Sequence, residues 1–141
     1  MMAYIAAGWF TPEQEEARLE VMRACKEAKM PYYSPKDDGM YVPGVTAPSS
    51  VFNENLHQID NCDFVLASTE GKDMGTLFEC GYAYATGSPI VYYYKGEGKF
   101  NLMLGQSSAS VCKDYDSLVK LLTKFVKTNC VEYRVYKGEM E

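Results

Sequence analysis

A single histidine, His57, occurs among the 141 residues. A multi-histidine zinc site is therefore excluded, and a Cys-His nucleophile pair would rest on one residue that reads more simply as a surface side chain. The five cysteines (Cys25, Cys62, Cys80, Cys112 and Cys130) are odd in number, widely spaced and without a CxxC. Most sit in apolar surroundings, the pattern of reduced core thiols in a cytoplasmic protein. Positive charge is in the minority, 14 Lys and Arg against 19 Asp and Glu, for a net charge of -5. With no basic stripe, nucleic acid and anionic membranes are not expected partners. No apolar run is long enough to span a bilayer, and the Met-Met start lacks the basic and apolar stretches of a signal peptide, so none is expected. Internal repeats and low-complexity tracts are missing too. Small molecules remain as the expected partners.

What is present fits one domain over residues 1–141, with 47% hydrophobic residues and enough chain for a core of its own. Residues 3–7 read as a buried strand ending in Gly8-Trp9-Phe10. Thr11-Pro12-Glu13-Gln14 then opens a helix, with Thr11 as cap, Pro12 at the first helical position and Gln14 completing a capping box. Apolar spacing at Ala17, Val21, Ala24 and Ala28 carries this helix to about Lys29. Residues 31–33 form a weak second strand. The stretch 34–50, rich in Pro, Gly and Asp, is a long irregular segment of the kind that often forms a binding lid. Ser49 or Ser50 caps a helix carrying Phe52, Leu56 and Ile59. A third strand covers 62–68, a helix follows Asp73, and a fourth strand covers 89–94. A second long loop spans 95–108, a last helix begins at Asp114, and a polar tail runs to Glu141. This alternation predicts a flavodoxin-like (Rossmann-like) three-layer α/β sandwich, with a five-stranded parallel sheet of order 2-1-3-4-5 and helices on both faces.

Glu79 stands out. It lies in an otherwise apolar helix among Leu77, Phe78, Cys80, Ala83 and Tyr84, where an ionised acid is costly unless it is paired or used. A glutamate near a helix start is also favoured by the helix dipole and by capping. Asp73 and Gly75 tip the reading toward function, because they bring a second carboxylate and backbone N–H groups to the carboxyl end of a strand, where open parallel sheets bind ligands. In the 2-1-3-4-5 order, Gly8-Trp9-Phe10 and Asp73-Gly75-Glu79 face one crevice at the switch point. A carboxylate in a dry crevice, kept charged by the helix N-terminus and without a Ser-His partner, suits nucleophilic attack on an anomeric carbon. Trp9 is the leading candidate to stack a flat leaving group.

Four segments carry a family resemblance: residues 4–11 (YIAAGWFT), residues 53–63, residues 73–79 (DMGTLFE) and residues 100–103 (FNLM). In order and over nearly the whole chain, they resemble nucleoside 2-deoxyribosyltransferases. The resemblance implies double-displacement exchange of purine or pyrimidine bases between 2′-deoxyribonucleosides, with no cofactor or metal. Glu79 matches the nucleophile, Asp73 a carboxylate beside the sugar, and Tyr4 a tyrosine that helps to hold the nucleophile. Gly8, Trp9, Phe10 and Gly75 fall on the substrate crevice. Asn101 and Met103 match a loop that enters a neighbouring subunit's site, which implies a homo-oligomer of dimeric units, up to a hexamer. Glu141 matches a terminal residue that approaches the base in some members. The role implied is deoxynucleoside salvage.

Two positions depart from the family pattern. Asn55 stands where many members carry an aspartate that helps to protonate the leaving base, which leaves Asn55 to hydrogen-bond the base and the proton to come from water or from Asp37. Gly39, in the segment Pro35 to Met40, stands where some members carry an amide that reads the base. One rival is a hydrolase of deoxynucleoside 5′-monophosphates with the same carboxylate nucleophile; the other is a non-catalytic nucleotide-binding module.

Overall fold

Alternating side chains along two central strands divide the core into two halves. In β1 (Ala3–Ala6), Ala3 and Ile5 face one side of the sheet and Tyr4 and Ala6 the other. In β3 (Phe64–Ser68), Phe64 and Leu66 join the first set, Val65 and Ala67 the second. This is the period of two that a strand imposes, with both faces covered as in parallel sheets. The computed structural model describes residues 1–39 and 41–141; Met40, the last residue of the segment 35–40, lies outside the described residues.

β2 (Tyr32–Tyr33), β4 (Ile90–Tyr93) and β5 (Ser110–Cys112) complete a five-stranded sheet of order β2-β1-β3-β4-β5, parallel throughout. This is the flavodoxin-like arrangement. On one face, α1 (Pro12–Ala28) and α6 (Tyr115–Thr128) cover the sheet through Val21, Cys25, Leu118, Leu122 and Phe125. On the other lie α3 (Pro48–Asn61) and α4 (Met74–Ala85), through Ile59, Cys80 and Ala83. Among the described residues, no helix is long and apolar enough to cross a membrane.

Both long loops contain helix. A five-residue α2 (Pro35–Gly39) follows β2, and a six-residue α5 (Leu102–Ser107), capped by Asn101, precedes β5. Each is too short to show a periodicity in sequence. The expected Ser49 or Ser50 cap is replaced by Ala47, without a side-chain bond, because Pro48 already supplies the φ of a first helical residue. The tail is not free: Phe100 and Glu141 bond backbone to backbone, Leu102 N donates to Glu141 O at 2.7 Å, and Tyr136 packs edge-on against Phe100 at 5.8 Å. Four of the five thiols are buried and Cys130 is exposed. Burial pushes Cys25, Cys80 and Cys112 up to about 12, so they stay protonated and unreactive.

Candidate active site

The crevice where strand order reverses is built from three loops. The chain leaving β1 passes through Gly8, which is buried so tightly that a Cβ there would stand 2.5 Å from Gln14 Oε1 and 2.8 Å from Asp73 Cβ. Only glycine allows this approach, and it brings the β1 loop against the β3 loop. Trp9 and Phe10 follow, their rings 5.0 Å apart. Asp73 ends the β3 loop as the N-cap of α4, accepting from Thr76 N (2.9 Å) and Thr76 Oγ1 (2.8 Å). One turn further along α4 comes Glu79.

These groups surround a cavity of about 450 Å³ that Trp9, Phe10, Gly39, Asn55, Asp73, Gly75 and Glu79 all line. Its size and largely apolar wall suit a small organic ligand. Gly8 is packed behind the wall and Tyr4 beneath it. The Tyr4 hydroxyl donates to Glu79 Oε2. Burial, and next the charge of Glu79, raise the Tyr4 hydroxyl well above its ordinary range, so it remains a donor.

Glu79 is half-buried. Burial drives its carboxyl up to about 7; the Tyr4 hydrogen bond pulls it down, and the Asp73 charge adds to the rise. The expectation that the helix N-terminus keeps Glu79 fully charged is thereby corrected. As the sixth residue of α4, Glu79 lies beyond the first turn, where the dipole effect fades, and desolvation wins.

Asp37 also differs from expectation. It does not line the cavity and instead pairs with Arg18 at 2.8 Å. Partial burial raises its carboxyl, but the hydrogen bonds from Arg18 and Ser34 outweigh that and hold it below the usual range. An acid held ionised in this way is no proton source. Arg18, 3% exposed, also binds Glu15 and Ser34. The Arg18 and Lys36 hydrogen bonds hold Glu15 down to about 2. This network fastens α2, and with it Pro35 and Gly39, to α1.

Asn101, Met103 and Glu141 lie apart from Glu79. Asn101 and Glu141 line a second cavity of about 690 Å³ on another flank of α4, with Lys72 and Tyr94, and Met103 lines a third beside Tyr84. The second cavity is the larger, but it lacks Glu79 and Asp73, so the chemistry favours the first. Phe52 and Phe78, which the sequence places on the apolar sides of their helices and not in the site, stand with their rings 5.7 Å apart at the cavity wall. His57 lies on the exposed face of α3, accepting from Asn61 at 2.9 Å. Among the described residues, no group of three His, Cys, Asp or Glu side chains is placed to hold a metal.

The profile of the nucleoside 2-deoxyribosyltransferase family matches residues 3–125. The chain belongs to that family. Solved structures agree in fold. A 2-deoxyribosyltransferase from Bacillus psychrosaccharolyticus superposes with a TM-score of 0.82 at 19% identity, over 96% of this chain and 99% of the other. The enzyme of the same kind from Leishmania mexicana gives 0.58 at 21%, covering 92% and 99%. A CMP N-glycosidase from Clostridium botulinum gives 0.59 at 20%, covering 89% and 99%. No curated protein shows significant sequence similarity to the chain. For a nucleoside 2-deoxyribosyltransferase family member, the cavity joins a carboxyl group, a tyrosine that bonds it and an aromatic wall within one crevice.

Proposed function

We propose that this protein exchanges bases between 2′-deoxyribonucleosides by double displacement through Glu79. The observation that carries the reading is the half-buried Glu79 carboxyl, bonded by Tyr4 and facing a largely apolar cavity. Ionised Glu79 attacks C1′ of the sugar. The C1′–N bond breaks, its electron pair leaves with the base, and the base takes up a proton. A ring nitrogen of the acceptor base then attacks C1′, the bond to Glu79 breaks, and the acceptor's proton passes to solvent. Trp9 and Phe10 stack the base, Asn55 hydrogen-bonds it, and Asp73 and Gly75 border the sugar. With Asp37 held by Arg18, water is the proton donor.

The site is shared between copies of the chain. Met74, Phe78, Tyr84 and Met103 are 83%, 55%, 64% and 72% exposed on α4 and α5, an apolar surface that a second copy would cover, and Asn101 and Met103 complete that copy's site. The cellular role is deoxynucleoside salvage in the cytoplasm.

The test is chromatography of the protein incubated with deoxyinosine, with and without adenine, beside Glu79→Ala. Deoxyadenosine formed only with adenine, and only by the unmutated protein, is the expected result. Hypoxanthine released without exchange would replace this reading with hydrolysis, and no reaction with either deoxynucleosides or their 5′-monophosphates would leave a binding module.

A further inference from the structure

Gln14 is 6% exposed, an unusual place for an amide, and both ends of its side chain are used. The expected capping box forms only in part. Gln14 N donates to Thr11 Oγ1 at 3.2 Å, but the side chain passes over Thr11 and reaches one residue further back, where Gln14 Oε1 accepts from Phe10 N at 3.0 Å. Its other end leaves the helix start altogether: Gln14 Nε2 donates to Gly71 O at 3.0 Å, across 57 residues of chain.

The two backbone groups belong to two of the loops that form the crevice. Phe10 sits in the β1 loop with Trp9; Gly71 sits in the β3 loop, two residues before Asp73. Glycine on either side makes room for the amide. A Cβ on Gly71 would stand 2.5 Å from Gln14 Cγ, and Gly71 adopts φ +71°. A Cβ on Gly8 would meet both Gln14 and Asp73. A neutral amide of this length accepts from one loop and donates to the other at once, whereas an ionised carboxylate can only accept.

We infer that Gln14 is a positioning residue for the reaction, a clip that fixes the spacing between the aromatic wall at Trp9 and Phe10 and the acidic wall at Asp73, so that a base stacked on the first presents its sugar to Glu79. Gln14 touches no substrate and acts through Phe10 and Gly71. Its role in turnover rests on the base-exchange reading; its role as a clip does not. Backbone groups that lose such a buried partner must shift or take up water, and a displacement of about 1 Å is enough to lower a rate on the order of a hundredfold.

The test compares Gln14→Met, which keeps volume and removes both hydrogen bonds, with Gln14→Glu, which keeps both when protonated and loses the donor to Gly71 O when ionised. Amide hydrogen exchange of the substrate-free proteins reads the clip directly: Phe10 N–H should exchange at least tenfold faster in Gln14→Met while the amides of β3 and β4 keep their protection. Deoxyinosine-to-adenine exchange reads its use. In Gln14→Met kcat should fall about a hundredfold, and Gln14→Glu should lose activity relative to the unmutated protein as pH rises and the introduced carboxyl ionises. Unchanged Phe10 exchange in a folded Gln14→Met overturns the clip. An opened clip with unchanged kcat, or a Gln14→Glu profile parallel to that of the unmutated protein, overturns the positioning role. If Gln14→Met does not fold, the Gln14→Glu activity profile decides. An unmutated protein without exchange activity counts against the base-exchange reading, and the Phe10 amide then decides the clip by itself.

Discussion

The Tyr4 hydroxyl donates to the Glu79 carboxyl across 75 residues of sequence, from the middle of β1 to the second turn of α4. This bond opposes the burial that drives Glu79 up to about 7. Tyr4→Phe removes the opposition while keeping the ring, which stacks on Tyr33 at 5.8 Å. A hydrogen bond to a charged group contributes about 1.5–3 kcal/mol, so the acid limb of the pH–rate profile should move up by about one unit or more. Exchange rates from pH 5 to 9 measure this. An acid limb left in place would mean that the tyrosine does not tune the carboxyl.

Glu79 should also weaken the folded protein. Its folded value of about 7 lies above the ordinary 4.5, so the folded chain holds this proton more tightly than the unfolded one. The stabilising contribution is fully present below 4.5 and lost as pH rises through about 7. Glu79→Gln should therefore match the unmutated protein near pH 4.5 and exceed it above pH 7, by about 1–3 kcal/mol. Urea melts at the two pH values give the comparison. A pH-independent difference would place the Glu79 carboxyl in an ordinary aqueous environment.

Asn101 offers a test of site sharing that needs no structure of an assembly. Its side chain caps α5, accepting from Leu104 N at 3.2 Å. Asn101→Ala should cost about 1 kcal/mol of stability through the lost cap, whereas Asn101→Asp keeps the cap. Both should lower exchange, because the amide serves a neighbour's cavity. Glu79→Ala and Asn101→Asp, each impaired alone, should regain activity when unfolded and refolded together, since some mixed assemblies then contain one intact cavity. Absence of recovery in mixtures shown to contain both chains would confine the site to one subunit.

Much of this arrangement was written in the sequence, for identifiable reasons. The strands β1, β3 and β4 are apolar runs bounded by polar residues or Gly and Pro, and their alternation with helices leaves few topologies. The close approach at Gly8 and the carboxyl of Glu79 were visible because each breaks a local rule: a glycine at the end of a buried strand, an acid in an apolar helix. β5 could not be placed, since three residues carry too little pattern. The fate of Asp37 depended on Arg18, 19 residues away on another helix, and no local signal linked them. Gln14 misled in an instructive way. A glutamine three residues after Thr11 fits a capping box, but the fold brought Gly71 within reach, and the amide found a better use between two loops.

The cysteines carry a practical consequence. With Cys25, Cys62, Cys80 and Cys112 buried, Cys130 just beyond α6 is the one exposed thiol, and it lines none of the cavities described above. A maleimide dye or a thiol-reactive support should therefore couple to the folded chain at a single point, which offers fluorescence reporting or immobilisation without first removing the other four thiols.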